Sequence, residues 1–156
     1  LLLAHGRGAS KAPGRYKDDQ NYIVGADKTK VLFTPIDSLQ LKPSMERLLE
    51  YINSADGDIL IRAAVAHVEF EALHPFRDGN GRIGRMLITL MLWREGLISA
   101  PHFYVSAYFE DHKDEYIDAM RQVSAKDAWT EWCIFFLTGL RIQAENNLAI
   151  ALEIMK

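Results

Sequence analysis

The sequence predicts an all-α domain with one β-hairpin, and three observations lead there. From Pro43 onward, apolar residues recur at helical spacing in successive stretches separated by Pro, Gly or Asp. Only one segment, NYIVGADKTKVLFTPI, has the short β-rich runs of paired strands, YIV and VLF around the polar turn GADKTK. The chain has 156 residues with 49% hydrophobic content and no repeats, low-complexity tracts or linkers, enough for one sizeable core. The expectation is a single domain over 1–156.

Taken in order, the first 20 residues hold Gly6, Gly8, Pro13 and Gly14 among charges and read as a short helix end followed by loop. The hairpin follows and ends at Pro35. Pro43 suits a first helical position, and Met45, Leu48, Leu49 and Ile52 carry that helix to Asn53. Asp58 can cap a second helix, which sends Ile61, Ala64, Val65, Val68 and Ala72 towards a core. Pro75 stops it near His74, because proline disfavours the α region for the residue before it. A third helix begins after Gly81 and runs RIGRMLITLMLWRE, apolar almost all round, until Gly96; it reads as the central, buried helix. A loop at Pro101, a helix over about 107–123 and a long last helix over about 127–155 complete the chain.

Bulk properties exclude several classes. A formal net charge of -3 argues against direct nucleic-acid binding, which calls for a basic surface. The central apolar run MLITLMLW is too short to span a bilayer, and the N-terminus lacks the basic start and long apolar run of a signal peptide. Cys133 is the only cysteine, so no internal disulfide can form; this fits a reducing, cytoplasmic setting. Leu1 is not an initiating Met and the chain opens mid-pattern, which suggests a piece of a longer protein.

The chemistry concentrates in HPFRDGNGRIGR, from His74 to Arg85: one histidine, one carboxylate, three glycines and three arginines. Glycines are costly to order, so they argue that something approaches the main chain closely. Clustered arginines repel unless an anion lies among them. The motif precedes and opens the third helix, where unpaired N–H groups and the helix dipole favour anions. Gly79 and Gly81 would let the amides around Asn80 curl into a nest for phosphate oxygens. Arg82 and Arg85, three apart, would project from one face and clamp successive phosphates. Asp78 would hold a divalent cation, Mg²⁺ or Mn²⁺, bridging phosphates. His74, titrating near neutrality, can take a proton from an attacking hydroxyl. Phe76 would anchor the loop in the core. Together the parts describe phosphoryl or nucleotidyl transfer by positioning and charge stabilisation, with a nucleoside triphosphate as ligand.

The stretch resembles, without a mismatch, the Fic-domain signature His-x-Phe-x-(Asp/Glu)-Gly-Asn-Gly-Arg-x-x-Arg. The resemblance extends from PGRYKDDQNYIVG, beginning at Pro13, to WTEWCIFFLTGL, ending at Leu140. It implies a Fic-like helical bundle whose hairpin is a flap, and an enzyme that moves AMP from ATP, its co-substrate, onto a Ser, Thr or Tyr hydroxyl of a target protein. His74 would then be the base, and Asp78 would hold Mg²⁺ against the α- and β-phosphates. Gly79, Asn80 and Gly81 would form the anion cradle, with Arg82 and Arg85 on the outer phosphates. Val31, Leu32 and Phe33 would pin the target segment by strand addition. Tyr116, Ile117, Met120 and Ser124 would lie near the adenine.

Two departures refine this. The kinase branch of the family has Lys where Gly81 stands, which favours nucleotidyl transfer here. The family's inhibitory helix, Ser/Thr-x-x-x-Glu-Gly/Asn, has a Glu that pairs with the motif's second arginine. SAYFED, residues 106–111, comes nearest and fails at its last position, so Arg85 is expected to be unpaired and any inhibitory segment to lie elsewhere or on a partner. Alternatives stay open: removal of AMP or another phosphate-containing transfer at the same site, a module that only senses nucleotide, or a metal-dependent hydrolase. The last would use His67, Glu71 and His74, which fall on one helix face at ligand-like spacing. EDHKDE reads as a solvated face, and Trp129 and Trp132 as packing anchors.

Overall fold

The computed structural model describes residues 10–24, 29–54, 56–101, 103 and 105–154. The expected helix end within residues 1–9 and the middle of the hairpin turn lie outside them. The described residues form a mostly helical chain with one two-stranded sheet: β1 (Ile23–Val24), β2 (Val31–Phe33), α1 (Ser38–Asn53), α2 (Ile59–Leu73), α3 (Asn80–Arg94), α4 (Ser106–Asp111), α5 (Lys113–Lys126) and α6 (Trp129–Ile154). They divide into two compact units, one of residues 1–55 and 66–84, the other of 56–65 and 85–156.

In the first unit, β1 and β2 pair antiparallel, with Ile23 opposite Phe33 and an irregularity between Ile23 and Val24. The hairpin is the expected one, and Val24 and Val31 are both exposed. Helix α1 starts earlier than expected. Asp37 caps it, its side chain accepting from the Leu39 N–H at 2.8 Å, and Pro43 sits inside the helix rather than at its first position. The buried positions Leu41, Ser44, Met45, Leu48 and Ile52 explain why: Leu41 belongs to the same apolar stripe as the rest, and only an earlier start brings it onto the helix. The local cap and this burial outweigh the hydrogen bond that proline forfeits. Leu49, exposed, is off the stripe. From α2 this unit buries Ala66, Val68, Phe70 and Leu73, together with the polar His67 and Glu71.

In the second unit Asp58 caps α2 as expected, accepting from the Leu60 N–H at 2.8 Å. Ala63 and Ala64 are buried here, but Ile61 is 40% exposed. The rest of the core comes from Ile88, Met91, Leu92, Val105, Phe109, Tyr116, Val123, Trp132, Phe136 and Leu140. Trp132 is wholly buried and donates its indole N–H to the Ala64 carbonyl at 2.9 Å, so the expected packing anchor is also polar-satisfied. Helix α3 ends as expected at Gly96, whose φ of +76° lets the Leu97 N–H reach back to the Leu92 carbonyl at 3.0 Å. It is not buried all round: Met86, Leu90 and Trp93 are exposed along one side.

The single helix expected over 107–123 is two. The chain breaks at His112, with φ -111° and ψ 38°, where the ring stacks on Tyr108 at 4.1 Å and Nδ1 lies 3.0 Å from the Tyr108 carbonyl. Helix α5 then runs on to Lys126 and closes with Asp127 in the left-handed region at φ 54°.

Candidate active site

The loop from His74 to Gly79 and the first turn of α3 lie in the first unit. Helix α2 ends at Leu73 as Pro75 dictates, and the His74 N–H still donates to Phe70 O at 3.0 Å. His74 then turns into the left-handed region at φ 45°, a conformation non-glycine residues rarely adopt without support. Its ring is largely buried. Burial pushes its pKa below the ordinary histidine value; the Glu71 backbone carbonyl pulls it up again, and the Lys17 ammonium pushes it down. Nδ1 lies 4.0 Å from Glu71 Oε2 and has no hydrogen-bond partner of ordinary geometry.

Asn80 closes the loop. Its side chain, 2% exposed, accepts from the Phe76 N–H at 2.9 Å and donates to the Phe76 carbonyl at 2.7 Å. The Asn80 side chain is thus committed to the loop, which leaves its backbone N–H as what Asn80 can offer an anion. Phe76 is half-buried between the rings of Tyr16 at 5.7 Å and Phe70 at 6.5 Å. Gly79 uses glycine's freedom, with φ +84°, whereas Gly81 lies in the first turn of α3 and needs none. Helix α3 therefore begins at Asn80, two residues before the expected start. Among the described residues no acceptor pairs with the N–H groups of Asn80, Gly81 and Arg82; the first that is paired is Ile83, to Gly79 O at 3.0 Å. Three donors and the positive end of a 15-residue helix converge there.

The charged groups around this start are loosely held. Arg82 Nη2 is buried without a hydrogen-bond partner and lies 4.0 Å from Asp78 Oδ1, which accepts from the Gly79 N–H at 2.7 Å. A buried guanidinium nitrogen without an acceptor is costly, and an anion would satisfy it. Arg77, the third arginine, is turned away from this role and pairs with Asp18 and Asp19. Arg85, three residues beyond Arg82 on α3, belongs to the second unit; there its Nη2 lies 3.9 Å from Glu110 Oε1. The expectation that Arg85 is unpaired does not hold, because α4 brings Glu110 of SAYFED alongside it. The pair is long and Glu110 is exposed, so it is a weak one.

The metal expectations divide. Asp78 keeps one carboxylate oxygen beyond the bond to Gly79, and its side chain is partly exposed, which suits a hard cation held by one carboxylate and by ligand phosphates. The hydrolase alternative is not supported: among the described residues no group of three His, Cys, Asp or Glu side chains is arranged to hold a metal. His67 is wholly buried, and Glu71 and His74 are 4.0 Å apart at their closest charged atoms.

Sequence reasoning missed residues 17–21. Lys17, 3% exposed, donates from Nζ to Asn21 Oδ1 at 2.7 Å and to Leu73 O at 3.1 Å, and its N–H reaches Pro75 O at 2.8 Å. Asn21 Nδ2 donates to the carbonyls of His74 at 3.0 Å and Phe76 at 3.3 Å. Gly84 was also missed. A Cβ there would stand 2.4 Å from Glu71 Oε1 and 3.2 Å from His67 Cε1, so glycine lets α3 pass close to α2.

The remaining sequence-derived residues lie elsewhere. In the hairpin, Val31 is exposed and Leu32 and Phe33 are half-buried; β2 pairs with β1 on one side, and no second strand among the described residues takes its other edge. On α5, Tyr116 turns into an aromatic cluster with Phe109 at 5.1 Å and Trp132 at 6.0 Å, which is packing. Ile117 and Met120 are half-buried and Ser124 is exposed.

A helix start whose first N–H groups have no acceptor among the described residues, a buried arginine nitrogen and a half-buried histidine lie together in this loop and the turn that follows it, an arrangement with room for an anion's charge. The Fic/DOC family model matches residues 1–92, more than half of the chain, and the protein belongs to that family. It is similar to "Protein adenylyltransferase fic-1" of Caenorhabditis elegans, 34% identical over 86 residues, 53% of this chain and 16% of that protein. It is also similar to "Probable protein adenylyltransferase aq_aa38" of Aquifex aeolicus (strain VF5), 27% identical over 111 residues, 70% of this chain and 31% of that protein. The chain thus spans less than a third of the length of either relative. The crystal structure of a Fic family protein from Desulfovibrio desulfuricans G20 superposes with a TM-score of 0.81 at 25% identity, covering 93% of this chain and 44% of that one.

Proposed function

We propose that the protein transfers AMP from ATP to a Ser, Thr or Tyr hydroxyl of a target protein. The observation that carries the reading is the start of α3: N–H groups without an acceptor among the described residues and the buried Arg82 Nη2 stand beside the loop that holds His74, and would receive phosphates there. The names of the relatives, protein adenylyltransferases, favour AMP over other transferred groups. With no bulky side chain at Gly81, the triphosphate has room to lie with its α-phosphate exposed to attack.

His74 takes the proton as the hydroxyl oxygen attacks the α-phosphorus. The new oxygen–phosphorus bond forms, the bond to the β-phosphate oxygen breaks and pyrophosphate leaves with its electrons. A lowered pKa keeps the imidazole in its neutral form at physiological pH, with a nitrogen lone pair available to accept the proton. The α3 amides and Arg82 stabilise the charge that builds on the phosphates, and Arg85 would take the outermost. Asp78 would hold Mg²⁺ or Mn²⁺, which neutralises charge on the triphosphate when bound. The open edge of β2 supports docking of the target segment as an added strand. Ile117, Met120 and Ser124 would face adenine, with Tyr116 as support behind them.

The absence among the described helices of one long and apolar enough to cross a membrane is compatible with a cytoplasmic site of action. Incubation with ATP labelled at either the α- or the γ-phosphate tests the reading. Label from the α-position alone should appear on protein. Label from the γ-position would make the protein a kinase, and label from neither would remove the transferase reading.

A further inference from the structure

His74 holds a left-handed backbone conformation at φ 45°, directly before a proline, and the loop's own bonds do not account for it. The Asn80 side chain fastens Phe76, two residues on. The His74 carbonyl is held from far away in sequence: Asn21 Nδ2 donates to His74 O at 3.0 Å and to Phe76 O at 3.3 Å, bridging the carbonyls on either side of Pro75. The orientation of that amide is dictated from behind. Lys17 Nζ can only donate, and it lies 2.7 Å from Asn21 Oδ1, so Nδ2 must face the two carbonyls. The same ammonium caps the last carbonyl of α2, at Leu73, where the helix dipole favours a cation. Burying Lys17 to 3% exposure is expensive, and the two acceptors of its ammonium, Asn21 Oδ1 and Leu73 O, lie on Asn21 itself and on the residue before His74. Two further ties hold residues 17–21 in place as a strap across the loop: Ser38 Oγ donates to Asp18 O at 3.3 Å and Gln20 Nε2 to Pro35 O at 2.9 Å.

We infer that Lys17 and Asn21 are positioning residues for His74: Lys17 orients the Asn21 amide, and the amide fixes the His74 peptide so that the imidazole is held at the mouth of the phosphate-binding loop. The inference rests on the AMP-transfer reading for the reaction that His74 serves, but not for the geometry. A base acts only if its nitrogen sits within hydrogen-bond reach of the attacking hydroxyl, and a small shift of its backbone costs rate rather than nucleotide affinity. The phosphates would be received by α3, whereas the Asn21 amide donates to the loop carbonyls of His74 and Phe76.

The test uses the 156-residue chain with Asn21→Asp, Asn21→Ala, Lys17→Met and the double variant Asn21→Ala/Lys17→Met. Asn21→Asp keeps the acceptor that Lys17 needs and removes only the donor, so it carries the test even if Asn21→Ala does not fold. Two readouts are taken: kcat and KM for ATP in AMP transfer, and the histidine Cα resonances, with the His74 signal assigned from His74→Gln. The expected result is a kcat at least tenfold lower in each single variant, with KM for ATP within twofold, and a shifted His74 signal while the others stay. The double variant should be no slower than the slower single one, since the two residues act through one amide. An unshifted His74 signal with unchanged kcat would overturn the inference. So would kcat and ATP affinity falling together with loss of the folded fraction, which would make the strap merely structural. If the unsubstituted chain transfers no AMP, the functional reading fails while the His74 signal still decides the positioning.

Discussion

Asn80 and Phe76 exchange two hydrogen bonds, the Asn80 side chain serving both the N–H and the carbonyl of Phe76 at 2.9 and 2.7 Å. This fixes a loop of otherwise irregular backbone against the start of α3. Asn80→Ala would leave two backbone groups without partners in a site where water has little access, at about 1–3 kcal/mol for each unsatisfied group. We expect a clear drop in melting temperature by calorimetry and weaker ATP binding. Unchanged melting would mean that the loop holds without this exchange.

Gly84→Ala sets two effects against each other. Alanine favours a helix by about 0.8–1 kcal/mol over glycine, while crowding in a packed interior costs about 1–3 kcal/mol. The added methyl would meet Glu71 Oε1 at 2.4 Å, and Glu71 is 8% exposed, so the carboxylate has little room to yield. Stability should change by no more than about 2 kcal/mol in denaturant titration, but kcat should fall because Glu71 stands beside His74 Nδ1. A variant as active as the original would show that Glu71 can move without disturbing the base.

The pH profile follows from the direction of the His74 shift. Transfer needs the neutral imidazole, so the acid limb of kcat/KM should lie below the ordinary histidine value of about 6.5. The charged groups facing the ring are the Lys17 ammonium, which lowers its pKa, and the Glu71 carboxylate. Lys17→Met should therefore move the limb to higher pH. The sign for stability is set by proton counts. Between the lowered folded value and the ordinary unfolded one, the unfolded chain binds more protons, so stability contributed by His74 rises with pH there and is lost on acidification through that window. His74→Gln should flatten this part of a melting-temperature profile; an identical slope in both proteins would contradict the assignment.

Glu110 stands 3.9 Å from Arg85 and its side chain is 61% exposed, which places the pair among weak surface contacts of about 0–1 kcal/mol. Glu110→Gln should then tighten ATP binding by at most about fivefold and leave the melting temperature nearly unchanged. A gain of several orders of magnitude in activity would mean that Glu110 is a strong internal restraint.

What could be read from the sequence was local. Pro75 and Gly96 mark real helix ends, and the spacing from His74 to Arg85 places the loop and the helix start that follows it, because each residue acts within a turn or two of its neighbours. The α1 start was hidden because Asp37 and Pro43 both look like beginnings, and only the burial of Leu41 decides between them. The break at His112 depends on stacking against Tyr108, which helical periodicity does not register. The strap was invisible for a different reason: Lys17 and Asn21 act on residues 53 to 58 positions away, and a polar stretch such as KDDQN carries no period that would announce it. The Arg85–Glu110 contact is not legible in SAYFED because the inhibitory motif turns on a Gly or Asn after the glutamate, whereas proximity needs only the fold.

The central claim is that His74 is a base on a hydroxyl while other groups hold the nucleotide. The most direct measurement pairs intact-protein mass spectrometry with calorimetry on the unsubstituted chain and His74→Ala, each with ATP and Mg²⁺. The account predicts addition of one AMP to protein by the unsubstituted chain, none by His74→Ala, and ATP affinities within about twofold of each other. Loss of ATP binding together with activity, or continued AMP transfer by His74→Ala, would contradict it.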